Sequence, residues 1–251
     1  VVYVVSSASH TTAASSVNGW PLKECAMELY DVMRTTFACR EWTDDPVSDE
    51  TLHRILDNAR FAPNGGNRQG QHVIVVRDKD VRRQLVPLVR EGTDIYMAHV
   101  AAGEAPWNSI NPTSVDEAAI RANDRPVTFP GVNEMVDAPV VLVVAVDLSV
   151  VASFDKNLER IGVISGASIY PLVWNILMSA RNEGLGGVLT TYLSEKEPEV
   201  QKVLGLPSSY AVAAMLPIGV PVKQLTKLRR KQVEEFVTID SFDGPAFTVD
   251  S

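Results

Sequence analysis

The chain has 251 residues, 45% of them hydrophobic and 22% charged, which suits one globular domain with a full core and does not require two. A net charge of −8 argues against a general affinity for nucleic acid or an acidic membrane, so a local basic cluster is more informative here than in a basic protein. Two cysteines, Cys25 and Cys39, and four scattered histidines (His10, His53, His72, His99) offer neither a CxxC pair nor Cys/His metal spacing, and buried thiols in a reducing cytoplasm are expected.

In chain order, Val1–Val5 is apolar but lacks a basic flank and is too short for a signal-peptide core. A Ser/Thr/Ala tract follows, so residues 1–20 are expected to be a loosely ordered arm or an expression remnant, with one domain over 21–251. Helices are expected at 24–34 and 48–60, the second opened by Ser48 with Asp49 and Glu50 at its positive end. A strand at 71–77 precedes a helix at 79–100. Gly103–Met135 is polar, contains Pro and Asn, and reads as a long excursion of the kind that forms lids, with a helix at 115–122. A strand at 139–147, a helix at 158–182 and a strand at 187–191 come next. Ser194-Glu-Lys-Glu197 has the spacing of a capping box for a helix at 195–204, closed by Gly205 with Pro207 beyond. Strands at 211–220 and 236–240 complete the series.

The runs 140–146 and 211–218 are continuously apolar, the pattern of central strands covered on both faces. The elements do not alternate strictly as strand and helix, and two helices precede the first strand, so the fold class is α+β rather than doubly wound. Ile161–Ala180 has twenty residues without a charge, a length that can span a bilayer. Its Gly, Ser, Pro and Asn content favours burial in protein, as a central helix or a dimer interface.

Three separated segments carry chemistry. Arg34-Thr-Thr-Phe-Ala-Cys-Arg40 leaves a helix with basic and hydroxyl groups before the turn at Asp45-Pro46. Ala59–Gln71 holds Gly65-Gly66 and a density of amide side chains (Asn64, Asn67, Gln69) beyond what a plain loop needs, yet it matches neither GxGxxG nor the P-loop pattern. Lys227-Leu-Arg-Arg-Lys231 is the densest positive charge in the chain. It reads either as a solvated turn or as an anion site, since the Arg fork matches phosphate and Lys adds a point charge.

In this order and spacing the segments resemble the FMN-dependent NAD(P)H nitroreductase family, especially its actinobacterial-looking members, over roughly residues 27–77 and 137–240. The specific part is Arg40-Glu-Trp-Thr-Asp-Asp-Pro-Val followed by Ala-Arg-Phe-Ala-Pro-Asn-Gly-Gly-Asn-Arg-Gln. Asp137–Val144, Gly184–Thr191 and the Pro-Ile-Gly219 run also match. The resemblance implies a mixed, mostly antiparallel sheet flanked by helices, in an intertwined homodimer with FMN at the subunit interface. It implies Ala38, Arg40, Lys227 and Arg229 around the FMN phosphate, with Pro63, Asn64, Gly65 and Asn67 supplied by the other subunit. Val188, Leu189, Thr190 and Thr191 would lie along the flavin ring, a backbone N–H near Thr190 facing its N5, and Arg40 could also favour the reduced anion. Phe37 and Ala38 depart from the basic or polar residues usual there, which shifts weight onto Arg40 and the 227–229 cluster.

The implied activity is hydride transfer from NAD(P)H to the flavin and then to a small nitroaromatic or quinone-like acceptor, in a pocket including Trp107 and Phe129. No protein nucleophile or metal is called for. A flavin-binding or storage protein, a dehalogenating or flavin-fragmenting relative, and a nucleic-acid- or protein-binding basic patch are the alternatives.

Overall fold

The computed structural model describes residues 27–122 and 132–249. The arm at 1–20, Cys25, the first three residues (24–26) of the first expected helix and Phe129 lie outside them. Seven α-helices and four strands are formed among the described residues: α1 Leu29–Thr35, α2 Asp49–Ala59, β1 Gln71–Val75, α3 Lys79–Ala101, α4 Glu117–Arg121, α5 Val132–Asp137, β2 Val140–Asp147, α6 Tyr170–Asn182, β3 Gly186–Gly187, α7 Glu197–Leu204 and β4 Tyr210–Gly219. The strands lie in the order β1-β2-β4-β3 with every neighbour antiparallel, and a parallel bridge joins Ala38 to Gly187.

β2 and β4 are apolar throughout because both faces of the sheet are covered. On one face Val140, Leu142, Val144 and Val146 pack with Ile55 of α2 and Val173 and Ile176 of α6. On the other, Val141 and Val143 pack with Leu85 and Val89 of α3, Met135 and Val136 of α5, and Val200 of α7. Leu216 and Ile218 face the α2/α6 side, whereas Met215 and Val212 both face α3. A change of parity along one strand needs an extra residue, and the register supplies it: Val144 pairs with Ala214 and Ala145 with Val212, leaving Ala213 as a bulge.

Several local signals hold. Ser48 Oγ accepts the Thr51 N–H (3.2 Å) at the start of α2, and Gly205 closes α7 in the left-handed conformation (φ 67°) that a side chain would strain. Others are overturned by partners that the local pattern does not name. Ser194 and Glu197 form no capping box. Ser194 Oγ donates to Val212 O (2.7 Å) and Glu197 Oε2 accepts the Val212 N–H (2.7 Å), so both side chains tie the start of α7 to β4. The expected helix at 158–182 begins only at Tyr170, after a 3-10 turn over Ile164–Ser168. Asp155 Oδ2 accepts from the Val163 N–H (2.7 Å) and the Arg160 guanidinium (2.8 Å), which bends the preceding residues into a loop; Pro171 then fits the first turn, where no N–H is required. The strand expected at 187–191 shrinks to Gly186–Gly187 with a bridge from Thr190 to Met215, and that at 236–240 to a bridge between Thr238 and Ala246. No described helix is long and apolar enough to cross a membrane.

Arg82 holds the α3 side together. Its guanidinium donates to the carbonyls of Val76 (2.8 Å), Val136 (3.2 Å) and Ala138 (2.8 Å), joining the end of β1 to the end of α5, and burial lowers its pKa. Arg82→Ala leaves these carbonyls without a charged donor. It should lower the unfolding free energy in urea by about 1–3 kcal/mol, and an unchanged denaturation midpoint would refute this role.

Candidate functional site

The segment after α1 is laid between β3 and the chain leaving β4. Cys39 N–H donates to Gly187 O (3.0 Å), the Trp42 indole to Gly186 O (2.8 Å), and Thr43 N–H to Val220 O (2.9 Å). Burial raises the Cys39 thiol pKa, so it sits as a packed apolar group. These bonds fix the backbone on either side of Arg40, whose side chain faces a cavity of about 580 Å³ also lined by Tyr96, Trp107 and Leu189 through Tyr192. Arg40, Leu189, Thr190, Thr191 and Trp107, expected from sequence to share a site, are therefore brought together. Val188 is buried and donates its N–H to Pro217 O (3.3 Å).

Thr190 differs from expectation. Its N–H donates to Met215 O (3.0 Å) and its hydroxyl to the same oxygen (3.3 Å), so this N–H is held by the sheet and is not presented to a ligand. Among the described residues, the N–H groups of Leu189 and Thr191 on either side donate to no backbone acceptor. The Tyr192 and Tyr96 rings meet edge to face (5.9 Å between centroids), and burial raises the Tyr192 phenol pKa, with Tyr96 adding to the rise and Arg40 opposing it. Both tyrosines escaped the sequence reading; Tyr96, four residues after Gly92 on α3, could have been found from the helical spacing.

The basic cluster does not join Arg40. Lys227 lines a second cavity of about 630 Å³, together with Arg34, Thr36, Trp174 and Arg230. Arg229 lines neither cavity, and its carbonyl accepts from the Arg230 guanidinium (2.8 Å). The single cluster of Arg40, Lys227 and Arg229 expected from sequence is thus divided, with Arg34 and Arg230 replacing Arg229. Thr36 and Arg40 belong to different cavities and are separated by at most about 13 Å of chain, with Ala38 bridged to Gly187 between them. Among the described residues, Arg34, Arg40, Lys227 and Arg230 form no salt bridge, whereas Arg54, Arg77, Arg121 and Arg160 do.

Pro63, Asn64, Gly65 and Asn67 lie on the connection from α2 to β1 and line neither cavity of the same chain. The amides there build the turn: Asn64 Oδ1 accepts the Gln69 N–H (2.9 Å), Gly65 N–H donates to Ser168 Oγ (3.2 Å), and Asn67 and Gln69 both take φ near 51°. Two non-glycine residues at positive φ within three positions mark a strained loop of the sort found at ligand clamps.

The excursion after α3 has an internal frame. Glu104 accepts from the Thr113 hydroxyl (2.6 Å) and from the Ser114 N–H (2.8 Å) and hydroxyl (2.5 Å), bonds that lower its pKa to about 2. Trp107 N–H donates to the buried His99 Nδ1 (3.2 Å), and the Trp107 backbone adopts φ 56°. Arg121 of α4 pairs with Glu195 (2.6 Å) and Glu117 (3.0 Å), which anchors the excursion beside the Arg40 cavity. The folded-state pKa of Glu104 lies below its ordinary 4.5, so its ordering effect is complete above that pH and is lost as pH falls towards about 2. At neutral pH Glu104→Gln should speed amide hydrogen exchange in 104–115 selectively; unchanged protection there would refute the role. No described group of three or more His, Cys, Asp or Glu is placed to hold a metal ion.

Comparison with known proteins places these features. The profile described as the nitroreductase family matches residues 33–220. An NADH dehydrogenase of Thermus thermophilus is 30% identical over 199 residues, spanning 79% of this chain and 89% of that protein. Human iodotyrosine deiodinase 1 is 24% identical over 229 residues, 88% of this chain and 73% of that protein. A crystal structure of oxidized iodotyrosine deiodinase bound to FMN and 3-iodo-L-tyrosine superposes with a TM-score of 0.60 at 22% identity, covering 86% of this chain and 100% of that one.

Proposed function

Because the chain belongs to the nitroreductase family, we propose that it is an FMN-dependent oxidoreductase that takes electrons from NAD(P)H and reduces nitroaromatic or quinone-like acceptors. The observation that carries this reading is Arg40, a cation without a described carboxylate partner, facing a cavity walled by Tyr96, Trp107 and Tyr192 beside the unpaired N–H groups of Leu189 and Thr191. A flat, electron-poor heterocycle with carbonyl and ring-nitrogen acceptors matches that set of donors and aromatic walls, and the volume lies in the range of cofactor sites.

When bound, FMN supplies two-electron transfer between donor and acceptor. The protein's contribution is placement and charge. Arg40 would supply positive charge beside the cofactor and favour the negative charge gained on reduction. The Leu189 and Thr191 N–H groups could orient the ring edge, one or the other taking the role that Thr190 N–H cannot. Trp107, fixed by its N–H to His99, would help wall the pocket in which a flat donor or acceptor could meet the flavin.

The reading includes a homodimer. Leu29, Tyr30 and Met33 of α1 and Phe154, Ile161 and Trp174 are large apolar residues exposed in the single chain, and they are consistent with an extensive partner surface. In such a dimer the strained, amide-rich loop at Pro63–Asn67 is available to the partner's site. The Thermus thermophilus relative is named an NADH dehydrogenase, which supports a nicotinamide donor.

The test is direct. Purified protein should show the two-band absorption of an oxidised flavin and bleach on anaerobic mixing with NADH or NADPH. Colourless protein that takes up no FMN overturns the reading, and a yellow protein that neither donor bleaches is a flavin-binding protein instead. A second reading, reductive dehalogenation, is favoured by the match to human iodotyrosine deiodinase 1 along 88% of this chain. Steady-state turnover of nitroaromatic against halogenated aromatic substrates separates the two.

A further inference from the structure

Trp107 is a wall shared by two cavities. It lines the Arg40 cavity and also one of about 490 Å³ bordered by His99 of α3, Glu104 of the excursion and Glu117 of α4. We propose that His99 is a positioning residue: its neutral ring holds Trp107 in this wall, and protonation of His99 releases Trp107 and loosens the acceptor pocket. The consequence for turnover rests on the FMN reading, whereas the hold on Trp107 does not.

His99 is buried, and its two ring nitrogens meet different partners. Nδ1 accepts the Trp107 backbone N–H (3.2 Å), so in the neutral ring the proton sits on Nε2. Nε2 lies 3.3 Å from Glu117 Oε1 without completing a hydrogen bond. A second proton can enter only at Nδ1, where the Trp107 N–H already points, and two donors then face each other. The cation thus exchanges the Trp107 bond for a stronger attraction to Glu117. Trp107 also has a reason to move once that bond is lost. Its φ of 56° lies in the left-handed region, which a bulky residue adopts only where its surroundings hold it. The indole meets the same imidazole edge to face (5.9 Å between centroids), so backbone and side chain depend on one residue. The other titratable groups around this pair are Tyr96, one turn earlier on α3, Glu104, and the network behind Glu117. In that network Arg121 meets Glu117 (3.0 Å), Glu195 (2.6 Å) and Glu91 (3.5 Å), and Lys196 meets Glu91 (2.7 Å). Bonds from Ser114 and Thr113 lower the Glu104 pKa to about 2, so Glu104 stays an anion throughout the range in which an imidazole changes charge. The frame of the excursion therefore persists while His99 titrates. The hold on Trp107 is complete with His99 neutral and is lost as pH falls through its titration.

The experiment follows the fluorine resonance of Trp107 in the full, FMN-loaded chain labelled with fluorotryptophan, the signal being identified by its loss in Trp107→Phe. Between about pH 5 and 8 this resonance should move in a one-proton step. KM for nitrobenzene, which carries no titratable group, should rise about fivefold as pH falls through the same step, as expected for the loss of one hydrogen bond, with kcat changed less. His99→Asn offers an uncharged oxygen acceptor in place of Nδ1 and should remove both steps while keeping the high-pH resonance. Glu117→Gln removes the carboxylate that favours the cation and should move the step to lower pH. A Trp107 resonance that is constant in the parent, or that moves alike in His99→Asn, overturns the assignment while the FMN reading stands. A resonance step with a constant KM overturns the positioning role. If His99→Asn does not fold, an unmoved step in Glu117→Gln overturns the assignment in its place. A chain that takes up no FMN loses the FMN reading, and the resonance step of the unloaded chain then decides by itself whether His99 holds Trp107.

Discussion

Arg40→Ala should yield a folded protein in which reduction of bound FMN by the preferred nicotinamide, followed by stopped-flow absorbance at saturating FMN, is slowed about 100-fold. The effect is large because Arg40 is a cation without a described carboxylate partner at the aromatic-walled cavity, and its charge opposes the negative charge gained on reduction. Folding should survive, since the only described bond of its guanidinium is a long one to Ala38 O (3.4 Å) and the side chain is exposed. Arg40→Lys keeps the charge and should recover part of the rate. An Arg40→Ala protein reduced at the parental rate would show that Arg40 does not act at the reacting ring.

Gly187→Ala is expected to have the second large effect, on stability and cofactor retention together. A Cβ at this position would stand 2.9 Å from Ile218 Cγ1, 3.0 Å from Leu177 Cδ2 and 3.0 Å from Pro217 O. The last is backbone in the central strand β4, so the clash cannot be relieved by rotating a side chain alone. Overpacking of this kind costs about 1–3 kcal/mol. Gly187 also bridges Ala38 and accepts from Cys39 N–H, so any shift moves the strip that carries Arg40. Thermal melts should show a lowered midpoint, and gel filtration should separate more free flavin from protein. A variant with the parental midpoint and full flavin content would mean that the close packing is relieved without disturbing the site.

The residues that line the Arg40 cavity were partly legible in the sequence. Arg40, Leu189 to Thr191 and Trp107 line one cavity, although Arg40 and Leu189 are separated by more than a hundred positions in the chain. Their convergence follows from the parallel bridge of Ala38 to Gly187, which no local signal announces. The division of the basic residues was not legible, because Lys227, Arg229 and Arg230 look equivalent in a row of charges. Only the path of the chain after β4 turns Lys227 and Arg230 towards Arg34 and leaves Arg229 outside. Thr190 shows the same limit at a single atom: its N–H is claimed by Met215, twenty-five residues away, across a bridge that sequence spacing does not predict.

By itself the sequence determined what depends on neighbours within a turn or a strand. The Ser48 cap, the Gly205 stop and the buried, apolar runs of β2 and β4 follow from side-chain reach, backbone freedom and solvent exclusion, and these forces act locally or through composition. The tertiary structure decided which partner won wherever two were available. Ser194 and Glu197 gave up a capping box for Val212, Asp155 gathered the residues before α6 into a loop, and Ala213 bulged so that Met215 and Val212 could face the same helices. For Ser194 and Glu197 a local option and a more distant one competed. The distant one prevailed because packing the sheet against its helices buries far more apolar surface than any single local bond can offset.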